Sequence, residues 1–246
     1  MNILLTLAYD GTAYNGWQRQ SNGMTVQQKL EEALGKIYGR EMSVVGASRT
    51  DAGVHALGQR AMYKADDDGV YIPPERVPYA LRAFLPADIV VRRAEEVCES
   101  FHPIYSAKAK TYEYNIFNGE FIDPVLRNYF YRVPYALDIN KMAEAARHFV
   151  GKHDFKTFCA SGSAVKTTAR EIYSFDISAD GCKINFKLRG DGFLYNMVRI
   201  IAGTVIAVGE NKINPDDIPG IIGSRDRANA GKTAPPHGLR LLEVVY

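Results

Sequence analysis

The apolar residues of the first hundred positions change period in a set order, and that order restricts the fold more than any single motif does. Ile3, Leu5, Leu7 and Tyr9 alternate with Leu4, Thr6 and Ala8, which predicts a strand buried on at least one face. Thr25 and Gln28 then have capping-box spacing ahead of Val26, Leu30, Ala33, Leu34 and Ile37 at helical spacing, with Gly39 as the stop. Two strands follow, Met42 to Ser48 and Gly58 to Lys64. Pro74 opens a second helix that carries Val77, Leu81, Phe84 and Leu85 on one face and is halted by Pro86. Asp88 to Val97 supplies a fourth strand. Strand, helix, strand, strand, helix, strand is the ferredoxin-like split βαβ, in which helices cover one side of an antiparallel sheet.

The second half reads similarly. Ala107 to Phe117 is a predicted strand, Asn128 to Val133 an extended stretch, and Ile139 to Val150 a helix behind Asp138 as N-cap. Strands Glu171 to Ser178 and Lys183 to Arg189 come next. A helix from Leu194 to Val208 then presents Met197, Ile200, Ile201, Thr204 and Val208 to the core, and Leu239 to Val245 is a last strand. The expected fold class is α+β: two ferredoxin-like halves, residues 1–104 and 105–246, sharing a largely antiparallel sheet with helices on one side. The repetition is architectural, without residue-level identity between the halves. A chain of 246 residues with 46% hydrophobic content suits such a fold, since roughly 70 to 75% of the unfolded surface is buried at this size.

Charged groups concentrate where one strand reaches a turn. Gly46-Ala47-Ser48-Arg49-Thr50-Asp51-Ala52-Gly53-Val54-His55-Ala56 follows an apolar lead-in and places a cation, Arg49, and a carboxylate, Asp51, at a strand end. Taken alone, Asp51 also reads as an ordinary turn residue, because Asp10, Asp180 and Asp191 precede glycine too and Asx turns are common. Taken alone, Arg199 reads as a surface charge. Tyr112, on a strand whose outward residues alternate Lys108, Lys110, Tyr112 and Tyr114, reads as packing.

Composition and spacing exclude several classes. Thirty Lys and Arg against 28 Asp and Glu leave a net charge of only +2, so any nucleic-acid surface is local rather than a bulk effect. Lys152 to Arg170 offers one: Lys152, Lys156, Lys166 and Arg170 face a single acid, Asp154, with Phe155 and Phe158 interleaved, a pattern that suits phosphates and unstacked bases. Gly151, Ser161, Gly162 and Ser163 equally favour a solvated loop there. Cys98, Cys159 and Cys182 lie far apart and the five histidines are scattered, so no metal site is expected. The longest apolar run, Ile200 to Val208, is far short of the about 20 residues of a membrane span. The first residues lead straight into a strand, so a soluble cytoplasmic protein is expected. Gly231-Lys232-Thr233 imitates the tail of a phosphate loop, but Asp226 stands where that motif needs glycine, and no nucleotide cofactor is expected. Gly190-Asp191-Gly192-Phe193 is read as a turn ahead of the last long helix. Ser161 and Ser163 lack a nucleophile elbow.

Taken whole, Arg49-Thr50-Asp51-Ala52-Gly53-Val54-His55-Ala56 resembles the catalytic loop of the tRNA pseudouridine synthase A family, in which the aspartate is the catalytic carboxylate. Tyr9-Asp10-Gly11, Tyr14 and Gly16-Trp17-Gln18-Arg19-Gln20 resemble the family's opening. Phe101-His102 with Ser106-Ala107-Lys108-Ala109-Lys110-Thr111-Tyr112-Glu113-Tyr114 is similar to its second motif. Gly192-Phe193-Leu194-Tyr195-Asn196-Met197-Val198-Arg199 resembles its third, and Ala234-Pro235-Pro236-His237-Gly238-Leu239 its closing segment. Ser48 stands where the family usually has glycine, and Arg240 where it more often has an aromatic residue.

The resemblance implies an isomerase that detaches uracil from its ribose, turns it and rejoins it through C5, at uridines 38 to 40 of the tRNA anticodon arm. The active site would lie in the cleft between the halves, and the enzyme would act as a homodimer without cofactor. It assigns Asp51 to the chemistry, Arg199 as the partner of that carboxylate, and Tyr112 as the ring that stacks on the flipped base and assists C5 deprotonation. Leu194 would form an apolar wall beneath the base, Arg49 would fill the space it vacates, and Gln18, Lys156 and Arg170 would join in binding RNA. Two other readings use the same scaffold: a noncatalytic RNA-binding or tRNA-chaperone module, and a related synthase with different target uridines.

Overall fold

The computed structural model describes residues 1–65, 70–162 and 165–246. Ser163, weighed above as a nucleophile and as a loop residue, lies outside them. Strands pair almost entirely antiparallel and five α-helices occur among the described residues, so the fold is mixed α and β as expected. The chain divides into two compact units: Met1–Lys108 with Leu241–Tyr246, and Ala109–Arg240.

In the first unit, β1 (Asn2–Tyr9), α1 (Val26–Tyr38), β2 (Val44–Gly46), β3 (His55–Lys64), α2 (Val77–Arg82) and β4 (Ile89–Val97) follow in the predicted order. β1 lies between β4 and β3, with Leu5 opposite both Ala61 and Ala94. Ile3, Leu4, Leu5 and Leu7 are all buried, so β1 is covered on both faces. Its register slips before Tyr9 against β3 and before Leu7 against β4, so the irregularity sits at the strand's C-terminal end. α1 starts as its caps require: the Thr25 hydroxyl accepts from the Gln28 amide at 3.3 Å, and Gly39 closes the helix at φ 67°. The reciprocal half of a capping box is not made, because the Gln28 side chain donates to Glu32 at 2.9 Å instead. β2 is shorter than predicted. α2 ends at Arg82 after a 3₁₀ turn at Pro74–Arg76, so Val77 and Leu81 are buried as expected whereas Phe84, past the last turn, is exposed with the Lys36 ammonium 5.9 Å from its ring centroid.

The second unit contains β5 (Ala109–Asn118), β6 (Tyr131–Val133), α3 (Ile139–Arg147), β7 (Gly151–Asp154), β8 (Ala169–Asp180), β9 (Lys183–Gly190), α4 (Met197–Gly209) and α5 (Ile218–Ser224). β5, β9, β8 and β7 neighbour one another in that order, and β6 pairs in parallel with β5. β10 (Leu239–Val245) is the last strand in sequence order. α4 is apolar nearly all round, with its five predicted core residues and also Ala202, Gly203, Val205 and Ile206 buried, as a helix enclosed by its own unit must be. It begins at Met197 rather than Leu194, because Asn196 takes the left-handed conformation at φ 59°.

Two predicted surfaces turn inward. Tyr112 and Tyr114, read as outward residues of β5, are buried. Phe155 and Phe158 are buried as well, with Phe158 edge-on to Phe149 at 5.1 Å, so the basic segment has no interleaved aromatic platform. The apolar rings follow the core, and Lys152, Lys156 and Lys166 remain exposed around them. Within the described residues this segment forms β7, a 3₁₀ turn at Lys156–Phe158 and the start of β8. No helix among the described residues is long and apolar enough to cross a membrane.

Candidate active site

The first unit builds a scaffold under Asp51. Between β2 and β3 the loop alternates its exposure: Ser48 and Thr50 are buried, Arg49 is exposed, and Asp51 is half-buried. Buried Gln59 donates to the Ser48 carbonyl at 2.7 Å, and the Tyr9 and Thr50 hydroxyls share a hydrogen bond of 2.7 Å. The Thr50 carbonyl accepts from Trp17 N at 3.0 Å, the Tyr14 carbonyl accepts from Gly53 N at 3.3 Å, and Val54 N closes a turn onto the Asp51 carbonyl at 3.1 Å. These bonds fix the backbone on both sides of Asp51 and at Asp51 itself.

The glycines of the opening segment have the same cause. A Cβ on Gly11 would lie 2.0 Å from the Val54 carbonyl oxygen. Gly16, at φ 86°, would place one 2.6 Å from the Thr50 oxygen, and Gly46 one 2.3 Å from the Trp17 indole nitrogen. The chain from Tyr9 to Trp17 thus lies directly on the Asp51 loop, too close for side chains at these positions. His55 Nδ1 accepts from Gly11 N at 3.0 Å, which ties the start of β3 to the same segment. Tyr14 donates its hydroxyl to Asp88 at 2.6 Å, and burial, with the adjacent carboxylate, holds its phenol far above the ordinary range, so it stays a donor at any working pH. Gln18 is exposed and its amide donates to Gln27 at 2.8 Å; Gln27 in turn donates to the Val44 carbonyl at 2.8 Å.

The second unit carries Tyr112, Leu194, Arg199, Lys156 and Arg170. Tyr112 lies opposite Leu188 on β9, and the Phe193 ring meets it edge-on at 5.2 Å. Leu194 is buried just ahead of α4. Arg199, on the first turn of α4 and half-buried, donates through Nε to the Ala234 carbonyl at 2.8 Å and through Nη1 to Asn196 Oδ1 at 2.7 Å, while its own carbonyl accepts from Ala234 N at 3.0 Å. The left-handed Asn196 is what brings that amide oxygen back to the guanidinium. Tyr114 donates to the Pro235 carbonyl at 2.8 Å, and burial raises its phenol well above the usual range. Ala234 to Gly238 therefore braces both Arg199 and β5. Gly231 and Lys232, the imitation phosphate loop, pack on α4 instead: Thr204 Oγ1 accepts from Gly231 N at 2.9 Å, and a Cβ on Gly203 would lie 1.8 Å from the Lys232 oxygen.

Arg170 is half-buried and Lys156 exposed, so the basic segment contributes one cation with a set geometry and one without. Lys110, read from the sequence only as an outward residue of this strand, is half-buried on β5 two residues before Tyr112. Burial, and then the nearby Arg170 charge, push its ammonium down to about 8. A lysine within a strand pattern carries no mark of this, because the burial that chiefly lowers it is tertiary and the second cause, Arg170, is 60 positions away. Arg240, where an aromatic residue is more usual, forms an ion pair with Glu113. Among the described residues no group of three or more His, Cys, Asp or Glu is placed to hold a metal ion, and the three cysteines are free.

The chain matches the family described as tRNA pseudouridine synthase over residues 6–106 and 145–246. It is 48% identical over 245 residues to the tRNA pseudouridine synthase A of Thermoanaerobacter sp. (strain X514), covering 100% of this chain and 99% of that one. The same figures hold for the protein of that description in Caldicellulosiruptor bescii, and identity is 47% over 244 residues, 99% of each chain, in Geotalea uraniireducens. Among solved structures, a chain of a Cbf5-Nop10-Gar1 complex matches 97% of this chain and 48% of its own at a TM-score of 0.39 and 13% identity, too distant to bear on fold or function. The full-length relatives, together with a family match that falls in both units, establish that this protein belongs to the tRNA pseudouridine synthase A family.

Proposed function

We propose that the protein isomerises uridine to pseudouridine at positions 38 to 40 of the tRNA anticodon arm, with Asp51 as its catalytic carboxylate. The observation that carries this reading is the scaffold under Asp51. Two hydroxyls, a buried amide and three glycines, drawn from three stretches of sequence, serve to fix one short loop. A turn that only reversed the chain would not need them.

The reaction breaks the bond from C1′ to N1 and forms one from C1′ to C5; the C5 proton leaves and N1 gains one, so atoms and electrons balance without an oxidant. A carboxylate can serve it by attacking C1′, by adding to C6, or by removing a ribose proton, and Asp51 takes one of these roles. Tyr112 stacks on the extruded uracil and assists departure of the C5 proton. Leu194 walls the base on its apolar side. Arg199, its guanidinium oriented by Ala234 and Asn196, serves as the cationic partner of the catalytic carboxylate, the role the family resemblance gives it. Extrusion costs a few kcal/mol and stacking on a ring returns about 1 to 3. Arg49, exposed beside Asp51, occupies the space the base leaves. Gln18, Lys156 and Arg170 contribute RNA contacts; a cytoplasmic homodimer binding tRNA across two copies completes the proposal.

Tritium release from undermodified tRNA labelled at uridine C5 tests it. The intact chain should release tritium, and Asp51→Ala should release it at least about 10³-fold more slowly while binding the same tRNA. Binding without release by the intact chain would favour a noncatalytic RNA-binding module.

A further inference from the structure

The turn Gly190-Asp191-Gly192-Phe193, between β9 and α4, is fastened to β8 beyond the end of the strand ladder. Gly190 with Ile172 is the terminal pair of β9 and β8. Asp191 carries the pairing one step further: its amide donates to the Glu171 carbonyl at 3.0 Å, and its side chain accepts from the Glu171 amide at 3.0 Å. Both bonds tie the turn to one residue, which fixes the direction in which the chain leaves it. Phe193 then folds back over Gly190, where an added Cβ would lie 3.4 Å from the ring's Cζ and 2.6 Å from the Glu171 oxygen. Glycine is needed at this position twice, by the neighbouring backbone and by a ring that takes the place of its side chain.

That place borders Tyr112. On β5, Tyr112 lies opposite Leu188 and Lys110 opposite Gly190, so position 190 is the diagonal neighbour of Tyr112 on the same face of the sheet. The Phe193 ring supplies the missing diagonal partner, with centroids 5.2 Å apart and planes 84° apart. A perpendicular contact engages one edge and at most one face, so it sets the plane of the Tyr112 ring without covering it as a parallel stack would. Phe193 is only half-buried, whereas the strand residues Ile172, Phe186 and Leu188 are fully buried, so filling of the core does not account for it.

We propose that Phe193 is a positioning residue that fixes the orientation of the Tyr112 ring, with the Asp191 clamp on Glu171 as its anchor. The consequence for catalysis rests on the reading of the protein as a uridine isomerase in which Tyr112 receives the extruded uracil: a ring already held at one tilt loses less freedom when the base arrives. Phe193 takes no part in bond making.

Fluorine NMR of protein labelled with fluorotyrosine, combined with single-turnover isomerisation of an anticodon stem-loop RNA, tests this. The Tyr112 signal is identified by its disappearance in Tyr112→Phe. Phe193→Leu should slow single turnover about three- to tenfold, the range spanned by loss of one aromatic pair, while the dissociation constant of the stem-loop changes by less than about twofold. Phe193→Tyr keeps a ring in place and should restore the rate. Asp191 is exposed, so its variants leave the core untouched: Asp191→Ala should shift the Tyr112 signal although it removes neither ring, and Asp191→Asn, which keeps the accepting oxygen, should not. A Tyr112 signal unmoved by Asp191→Ala overturns the proposal. So does a rate that Phe193→Leu leaves unchanged in a protein that isomerises, or binding that weakens as much as turnover slows, which would put Phe193 in contact with RNA instead. An intact protein that binds the stem-loop without isomerising it, while the Asp191 variants shift the signal as expected, defeats the enzymatic reading alone and leaves Phe193 as the residue that holds the ring.

Discussion

A carboxylate on a loop is placed no better than the backbone beneath it, and the backbone around Asp51 is held by residues far from it in sequence. Gly16 is the sharpest case, since its φ of 86° and the Thr50 oxygen 2.6 Å from any Cβ act against a side chain together. Gly16→Ala should cost about 3 kcal/mol in denaturant unfolding and lower activity beyond the loss of folded protein, because relief of the clash displaces Thr50 and Asp51. Lys110 makes a different prediction. Its folded ammonium titrates near 8, below the ordinary 10.5, so the native state binds fewer protons than the unfolded chain between those values. The penalty is therefore full at neutral pH and is relieved as pH rises from about 8 toward 10.5. Lys110→Met should be more stable than the parent at pH 7 by chemical denaturation, with the gap closing over that window. The identity of Asp51, Tyr112 and Arg199 as candidates was legible from motif context. What Tyr9, Gly16 and Trp17 are for was not, because a glycine required by a carbonyl more than 30 residues away looks in sequence like any turn glycine.

Elements were legible where a local rule decides them. α1 declares itself by an amphipathic stripe, Thr25 and Gly39, and each end lies where those residues put it. α4 is buried nearly all round, so periodicity offers little edge, and its start depends on the backbone of Asn196, a conformation that most residue types avoid. Phe84 was misplaced because a helical stripe was carried past the last turn of α2, and Phe155 and Phe158 because rings beside lysines fit a core as readily as a surface. Helical glycines separate packing from propensity. Gly203 in α4 would drive a Cβ to 1.8 Å from the Lys232 oxygen, whereas Gly220 in α5 has nothing within 4 Å. Gly203→Ala should destabilise by about 3 kcal/mol, by forcing the segment that carries Ala234 off the helix. Gly220→Ala should stabilise by about 0.5 to 1 kcal/mol through the unfolded state alone. Thermal melts of the two variants should therefore move in opposite directions.

At the scale of the molecule, the first unit is not continuous in sequence: it takes back the last six residues, Leu241–Tyr246, after the whole second unit has been traversed. β10 is the neighbour of β3, the strand that begins four residues after Asp51. Leu241 is fully buried, and Gly58 on β3 approaches the Leu242 carbonyl so closely that a Cβ there would lie 2.2 Å from its oxygen. Tyr246 donates to the Pro103 carbonyl at 3.0 Å, packs against Phe101 at 4.7 Å, and lies under the Arg60 guanidinium at 5.5 Å. β3 carries Gln59, whose amide holds the Ser48 carbonyl, so the last residues of the chain support the Asp51 loop through a strand they flank. Removing Leu241 to Tyr246 would expose the hydrogen-bonding edge of β3 around Gly58, where Leu242 packs, while β2 still covers the edge from Ala61 to Tyr63. In hydrogen exchange, β3 and the Ser48 to Val54 amides should lose protection in the shortened chain, while β8, β9 and α4 retain theirs. Activity should fall with the first set. Equal loss of protection across both units would show instead that the chain unfolds as one cooperative body and would overturn a local role for β10.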